Sequence, residues 1–130
     1  MHLRLDYCAA FIGWLHREAG EPLPGNFWKN RACSRLQREL EDADWLVTAR
    51  WKPDSPPLQP GDIVFFERKI DVPDKDHLIP VGAPGHVGLL VHLRRGGFQS
   101  VEGNIGGEVK LMTRILPHRN FLAAYRRPRS

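Results

Sequence analysis

A cysteine near the beginning of the chain and a histidine in its second half are of the types that perform nucleophilic catalysis together. Cys8 lies in the first turn of a predicted helix, where the N–H groups and the helix dipole stabilise a thiolate. His86 lies in the segment PGHVGLLV, at the start of a predicted strand, where an imidazole can act as acid or base. Such a pair can attack a carbonyl carbon. Taken alone, each position more often holds a structural or surface residue.

Two further polar residues, Glu102 and Asn104, belong to the short pattern VEGN at the end of the strand after His86. A hairpin that turns at residues 95–97 would bring this pattern back to His86, where either side chain could orient the imidazole. Because a carboxylate favours the imidazolium that accompanies a thiolate, we expect Glu102 to orient the ring and Asn104 to support it. On this interpretation, Glu102→Gln costs turnover with little loss of stability.

The elements that must position these residues are N-terminal helices and a five-stranded antiparallel sheet. Apolar residues recur at helical spacing over residues 7–19 and 32–43, and the proline-rich connector 52–60 separates these helices from the sheet. The polar segment 68–85 is predicted to be a surface loop. Short apolar or β-branched runs predict strands over residues 62–67, 87–93, 98–102, 109–115 and 121–126.

Length and composition limit the class of protein. The chain has 130 residues, of which 42% are hydrophobic and 26% are charged, so it is expected to fold as one domain in water. No apolar run approaches the roughly 20 residues of a membrane span, which argues against membrane insertion. Cys8 and Cys33 are too few for a disulfide scaffold and lack zinc spacing, so neither a metal nor a cofactor is expected. A net charge of +4 favours contact with anionic polymers.

Four segments of the chain resemble CHAP (cysteine, histidine-dependent amidohydrolase/peptidase) domains and their NlpC-type relatives: DYCAAFIGWLHREAG, LQPGDIVFF, GHVGLLV and VEGN. The resemblance extends over nearly the whole chain. It implies one papain-like α+β catalytic domain over residues 1–130, which hydrolyses an amide bond of peptidoglycan as an endopeptidase or N-acetylmuramoyl-L-alanine amidase. By the same resemblance, Cys8 is the nucleophile, His86 is the base and Glu102 orients it, with Asn104 as a fourth member.

Two details of the expected site go beyond these four residues. An oxyanion formed during the reaction needs hydrogen-bond donors, and the backbone N–H of Cys8 would supply one. The side chain of Tyr7 is a candidate for the second. The long segment 68–85 departs from the family pattern and would reshape the substrate groove, so the choice of amide bond stays open.

Two other functions remain open from the sequence. The Arg-rich pieces LRRGG and YRRPRS would suit a non-catalytic binding module for anionic polymer, although no nucleic-acid motif is present. The same Cys/His pair could instead make a papain-like acyltransferase, which passes the acyl group to an amine or a lipid.

The expected partners are the stem peptides of bacterial peptidoglycan, and a cognate immunity or delivery protein is left open. Nucleic acid is not an expected partner. No signal peptide is visible before the first predicted helix. We therefore expect action in the periplasm or cell wall after delivery by a secretion system, by phage lysis or within a larger parent protein.

Overall fold

A six-stranded antiparallel sheet is the main element of the structure. The computed structural model describes residues 12, 15–20, 23, 33–67, 77–80, 85–105, 108–117 and 120–128, with backbone alone at residues 103–105 and 108. Residues 15–18 are helical, and helix α1 spans Cys33–Asp42. The strands are β1 Leu46–Ala49, β2 Ile63–Glu67, β3 Gly85–Arg94, β4 Gly97–Ile105, β5 Glu108–Ile115 and β6 Phe121–Tyr125.

The strands are arranged across the sheet in the order β1-β6-β2-β3-β4-β5. Strands β2 to β5 are neighbours in chain order, as in a meander. Strand β6 then returns to lie between β1 and β2, where Tyr125 pairs with both Leu46 and Ile63. All five residues of β6 are buried, as expected for an apolar strand with neighbours on both sides.

The alternation of side chains along the strands divides the core between the two faces of the sheet. On the helical face, side chains of α1 and of the sheet belong to one cluster of buried residues: Ile12, Leu23, Cys33, Leu36, Leu40, Trp45, Ile63, Phe65, Ile79, Val87, Leu122, Ala123 and Tyr125. The second face, which we call the far face, carries Leu58, Val64, Phe66, Leu90, Phe98, Phe121 and Ala124.

Helix α1 is tied to the segment that precedes β3. The side chain of Gln37, which is fully buried, donates to the carbonyl of His77 at 2.6 Å and accepts from the backbone N–H of Ile79 at 2.7 Å. Ile79 itself is 1% exposed and belongs to the core. The prediction that residues 68–85 form a surface loop is therefore wrong for this part of the segment, because an apolar side chain anchors it.

A buried ion pair fixes the beginning of β2 beside the end of β6. The carboxylate of Asp62 is fully buried and accepts two hydrogen bonds from Arg126, at 2.6 and 2.8 Å. It also accepts the backbone N–H of Gln59 at 2.8 Å. Hydrogen bonding to Asp62 raises the pKa of the Arg126 guanidinium above its ordinary value. Asp62 thus joins the proline-rich connector to the sheet.

The predicted architecture, a papain-like α+β fold with N-terminal helices on a five-stranded sheet, is wrong. The sheet has six strands and dominates the described residues, in which helices are few. The unpredicted strand is β1, which has only four residues. Its ends are marked by Asp44 and Arg50, with φ of 62° and 55°, rather than by glycine or proline. The other strands lie within a few residues of their predicted bounds. None of the described helices has the length and apolar character needed to span a membrane.

Candidate functional site

Four polar residues from three adjacent strands form a buried group, which we call the Glu102 cluster. It consists of His86 on β3, Ser100 and Glu102 on β4, and Arg114 on β5. Ser100 and Glu102 are fully buried, and His86 is 5% exposed. The burial of such polar groups is costly unless they are hydrogen-bonded to one another. The contacts within the cluster therefore decide what it can do.

The register of the strands brings these side chains to the far face of the sheet. Gly88 on β3 pairs with Glu102 on β4, so His86, two residues before Gly88, lies on the same face as Glu102. On the other side, His86 pairs with Phe66 of β2, and the two ring centroids are 6.3 Å apart. The predicted hairpin between the His strand and the VEGN strand is confirmed, with its turn at residues 95 and 96.

The carboxylate of Glu102 accepts two hydrogen bonds on each oxygen. Its Oε1 lies 2.6 Å from Nε2 of His86 and accepts Nη2 of Arg114 at 2.5 Å. Its Oε2 accepts the hydroxyl of Ser100 and Nε of Arg114, the latter at 3.1 Å. Glu102 is therefore fixed in position by donors from all three strands.

These donors also keep Glu102 ionised. Burial by itself raises the pKa of this carboxyl, but hydrogen bonds from His86, Arg114 and Ser100 and the positive charge of Arg114 outweigh it and lower the pKa to about 2. At any pH near neutrality, His86 is thus in contact with a carboxylate.

An ionised carboxylate also determines the tautomer of His86. A carboxylate can only accept hydrogen bonds, so Nε2 of His86 must carry the proton in their 2.6 Å contact. In a neutral ring the lone pair is then on Nδ1, which is also buried. Nδ1 is therefore the ring nitrogen that can take a proton from another group.

Gly88 allows the close approach of Glu102 to β3. A Cβ atom at this position would lie 2.6 Å from Cγ of Glu102 and 3.2 Å from the carbonyl oxygen of Val101. Any larger residue must therefore displace the Glu102 side chain or the neighbouring strand.

We expect Gly88→Ala to lower the free energy of unfolding by about 1–3 kcal/mol, as is typical of overpacking. It should also shift the NMR signals of the His86 ring, because the displaced carboxylate leaves Nε2. Gly96→Ala is the control. The φ of 77° at Gly96 makes alanine unfavourable there, but no other atom lies within 4 Å of the added Cβ. Unchanged His86 signals in Gly88→Ala would show that the carboxylate does not move.

The structure brings together two of the residues predicted for the site and leaves the others untested. His86 and Glu102 are in direct contact, as the sequence predicted. Asn104 lies in β4, but its side chain is outside the described part of the structure. Cys8 and Tyr7 both lie outside the described residues.

The sequence interpretation missed Ser100 and Arg114. Ser100 is two residues before Glu102 on one strand, so strand alternation alone places both side chains on one face. Arg114 lies in the run VKLMTRI, where its sequence context is that of an ordinary solvent-facing arginine. Its place in the cluster depends on the pairing of β5 with β4, in which Arg114 is opposite Phe98.

The cluster is suited to proton transfer rather than to metal binding. Among the residues that the structure describes, no group of three or more His, Cys, Asp and Glu side chains could hold a metal ion.

No protein-family model, curated protein or solved structure matches this chain.

Proposed function

We propose that this protein is a cysteine-dependent hydrolase that cuts an amide bond of bacterial peptidoglycan. The observation that carries the proposal is the buried contact of 2.6 Å between His86 and Glu102. It provides an oriented imidazole whose second nitrogen can exchange a proton, which is what a thiol nucleophile requires. Cys8 is the residue that we assign as this nucleophile.

The reaction would proceed through an acyl-enzyme. Nδ1 of His86 takes the proton of Cys8, and the thiolate attacks the amide carbonyl. The backbone N–H of Cys8 and the side chain of Tyr7 are the proposed donors to the oxyanion. The imidazolium, stabilised by Glu102, then protonates the departing amine. Water, activated by the same imidazole, cleaves the thioester and restores the thiol.

The substrate class is inferred from the sequence. The CHAP-like segments surround each proposed site residue, and members of that family act on peptidoglycan amide bonds. The net charge of +4 is compatible with an anionic wall, because exposed cationic groups attract it over about 8–10 Å at physiological salt. Charge alone does not distinguish a wall from other anionic polymers, so the assignment of the substrate class depends on the site.

Digestion of purified peptidoglycan, followed by mass spectrometry of the soluble fragments, tests the proposal. Each cut should add one water to the products. A new amino group on a stem peptide would identify an endopeptidase, whereas a peptide released from its sugar would identify an amidase. His86→Ala should release no fragments. His92→Ala, which changes an exposed histidine on the same strand, should digest as the wild type does.

Two outcomes would support the other functions. Binding to peptidoglycan without any cleavage by the wild-type protein would contradict the proposal and favour a polymer-binding module. With an added primary amine, fragments that carry the amine in place of water would instead identify an acyltransferase.

A further inference from the structure

We propose that Arg114 is a positioning residue of this site, which holds Glu102 against His86 and offsets the charge of the carboxylate. The inference rests on the proposed function for its catalytic meaning, but the geometry on which it depends is independent of the substrate. Arg114 is neither in the VEGN pattern nor on the histidine strand. It reaches the pair from β5, the strand on the other side of β4.

The contact between Arg114 and Glu102 has the bidentate geometry that restrains a carboxylate in its plane. Nε of Arg114 donates to one oxygen of Glu102 and Nη2 donates to the other. The guanidinium also lies over the ring of Phe66, with its central carbon 4.7 Å from the ring centroid. Since the side chain of Arg114 is only 18% exposed, packing and hydrogen bonds together fix its position.

Arg114 also changes the charge that His86 experiences. Among the described residues, the charged or titratable groups that face Glu102 lie on its two neighbouring strands: His86 on β3, and Arg114 and Lys110 on β5. Strand β2 contributes the uncharged ring of Phe66, which pairs with His86. Lys110 is exposed, whereas Arg114 contacts the carboxylate directly. Glu102 and Arg114 therefore form a neutral pair, and His86 lies beside an oriented dipole rather than a lone negative charge.

This neutral pair has a chemical consequence for the proposed base. A lone carboxylate would hold the proton on His86 up to a higher pH, and a protonated ring cannot accept the proton of a thiol. Arg114 therefore lets His86 be oriented by a carboxylate while it remains able to act as a base near neutral pH. A lysine would retain the charge but would lose the bidentate contact.

The test compares Arg114→Met, Arg114→Lys and, as a control for loss of one arginine, Arg35→Met at an exposed position of α1. In Arg114→Met, we expect the acid limb of the pH profile of kcat/KM to move up by roughly one pH unit. We also expect kcat to fall by on the order of 10²-fold with little change in KM, because Glu102 no longer holds the ring. Arg114→Lys should keep the acid limb while losing part of kcat. Arg35→Met should match the wild type.

A second measurement separates this inference from the proposed function. The NMR titration midpoint of the His86 ring should rise in Arg114→Met and stay near the wild-type value in Arg114→Lys, whether or not the protein cuts peptidoglycan. An inactive wild-type protein would overturn the proposed function alone. A midpoint that is the same in Arg114→Met and wild type would overturn the role of Arg114 alone. If Arg114→Met does not fold, a wild-type kcat in Arg114→Lys would still contradict the positioning role.

Discussion

Replacement of Cys8 by alanine is expected to abolish peptidoglycan hydrolysis, with a fall in turnover of at least about 10⁴-fold, since the sulfur of Cys8 is the atom proposed to form the acyl intermediate. The fold should be retained, because the change removes a single sulfur atom. Release of soluble fragments from purified peptidoglycan measures the turnover, and circular dichroism checks the fold.

The matched control for this prediction is Cys33→Ala. Cys33 lies at the beginning of α1 and is buried in the core of the helical face, so this variant loses the same atom at a position inside the core. It should cost some stability and retain turnover. Wild-type hydrolysis by Cys8→Ala, or loss of hydrolysis in a folded Cys33→Ala variant, would mean that the nucleophile is wrongly assigned.

Glu102→Gln is expected to impair both stability and turnover. The amide would leave the guanidinium of Arg114 without a counter-charge, and the loss of one partner of a buried ion pair costs about 3–5 kcal/mol. Arg114 is 18% exposed, so we expect a value near 3 kcal/mol, measured by urea unfolding. Turnover should fall by roughly 10²-fold or more, because the imidazolium loses its carboxylate. This differs from the sequence-based expectation of little destabilisation, which did not include Arg114.

The same carboxylate makes stability depend on pH in a defined direction. The pKa of Glu102 is about 2 in the folded protein, below its ordinary value of 4.5. Its contribution to stability is therefore complete above pH 4.5 and is lost as the pH falls through the range from 4.5 to about 2. Unfolding measured across this range should show a smaller acid loss in Glu102→Gln. Asp54→Asn, at an exposed carboxylate, should follow the wild-type curve. A Glu102→Gln curve parallel to the wild type would contradict the assigned ionisation.

The hairpin that brings His86 and Glu102 together could be predicted from the sequence, because two strands with alternating apolar residues flank a short turn. The face on which Glu102 lies could not be predicted in this way. The pairing next to the turn, if continued, would place Glu102 opposite Leu89, and a register shift between Leu90 and His92 instead places it opposite Gly88, on the face of His86. The residue types then indicate the chemistry. The position of Gly88 opposite Glu102 depends on the same shift.

Strand β1 and the role of Arg114 could not be predicted from the sequence. Strand β1 is short and is held by β6, which lies far along the chain, so its own four residues carry little signal. Arg114 is close to Glu102 in the chain, but it contacts Glu102 only because β5 pairs with β4 in a register that shifts between Glu102 and Ile105. A shift by one residue would place this arginine on the helical face, and composition alone does not exclude that shift.

The position of β6 between β1 and β2 also limits the order in which the protein can assemble during its synthesis. The Glu102 cluster is drawn from the consecutive strands β3, β4 and β5, so it can form as soon as residue 114 has left the ribosome. Strands β1 and β2, in contrast, have no shared neighbour until residues 121–125 emerge and insert between them. Such long-range pairs close late because their loops cost the most entropy. The strand order therefore allows the Glu102 cluster to form on β3 to β5 before β6 joins β1 to β2.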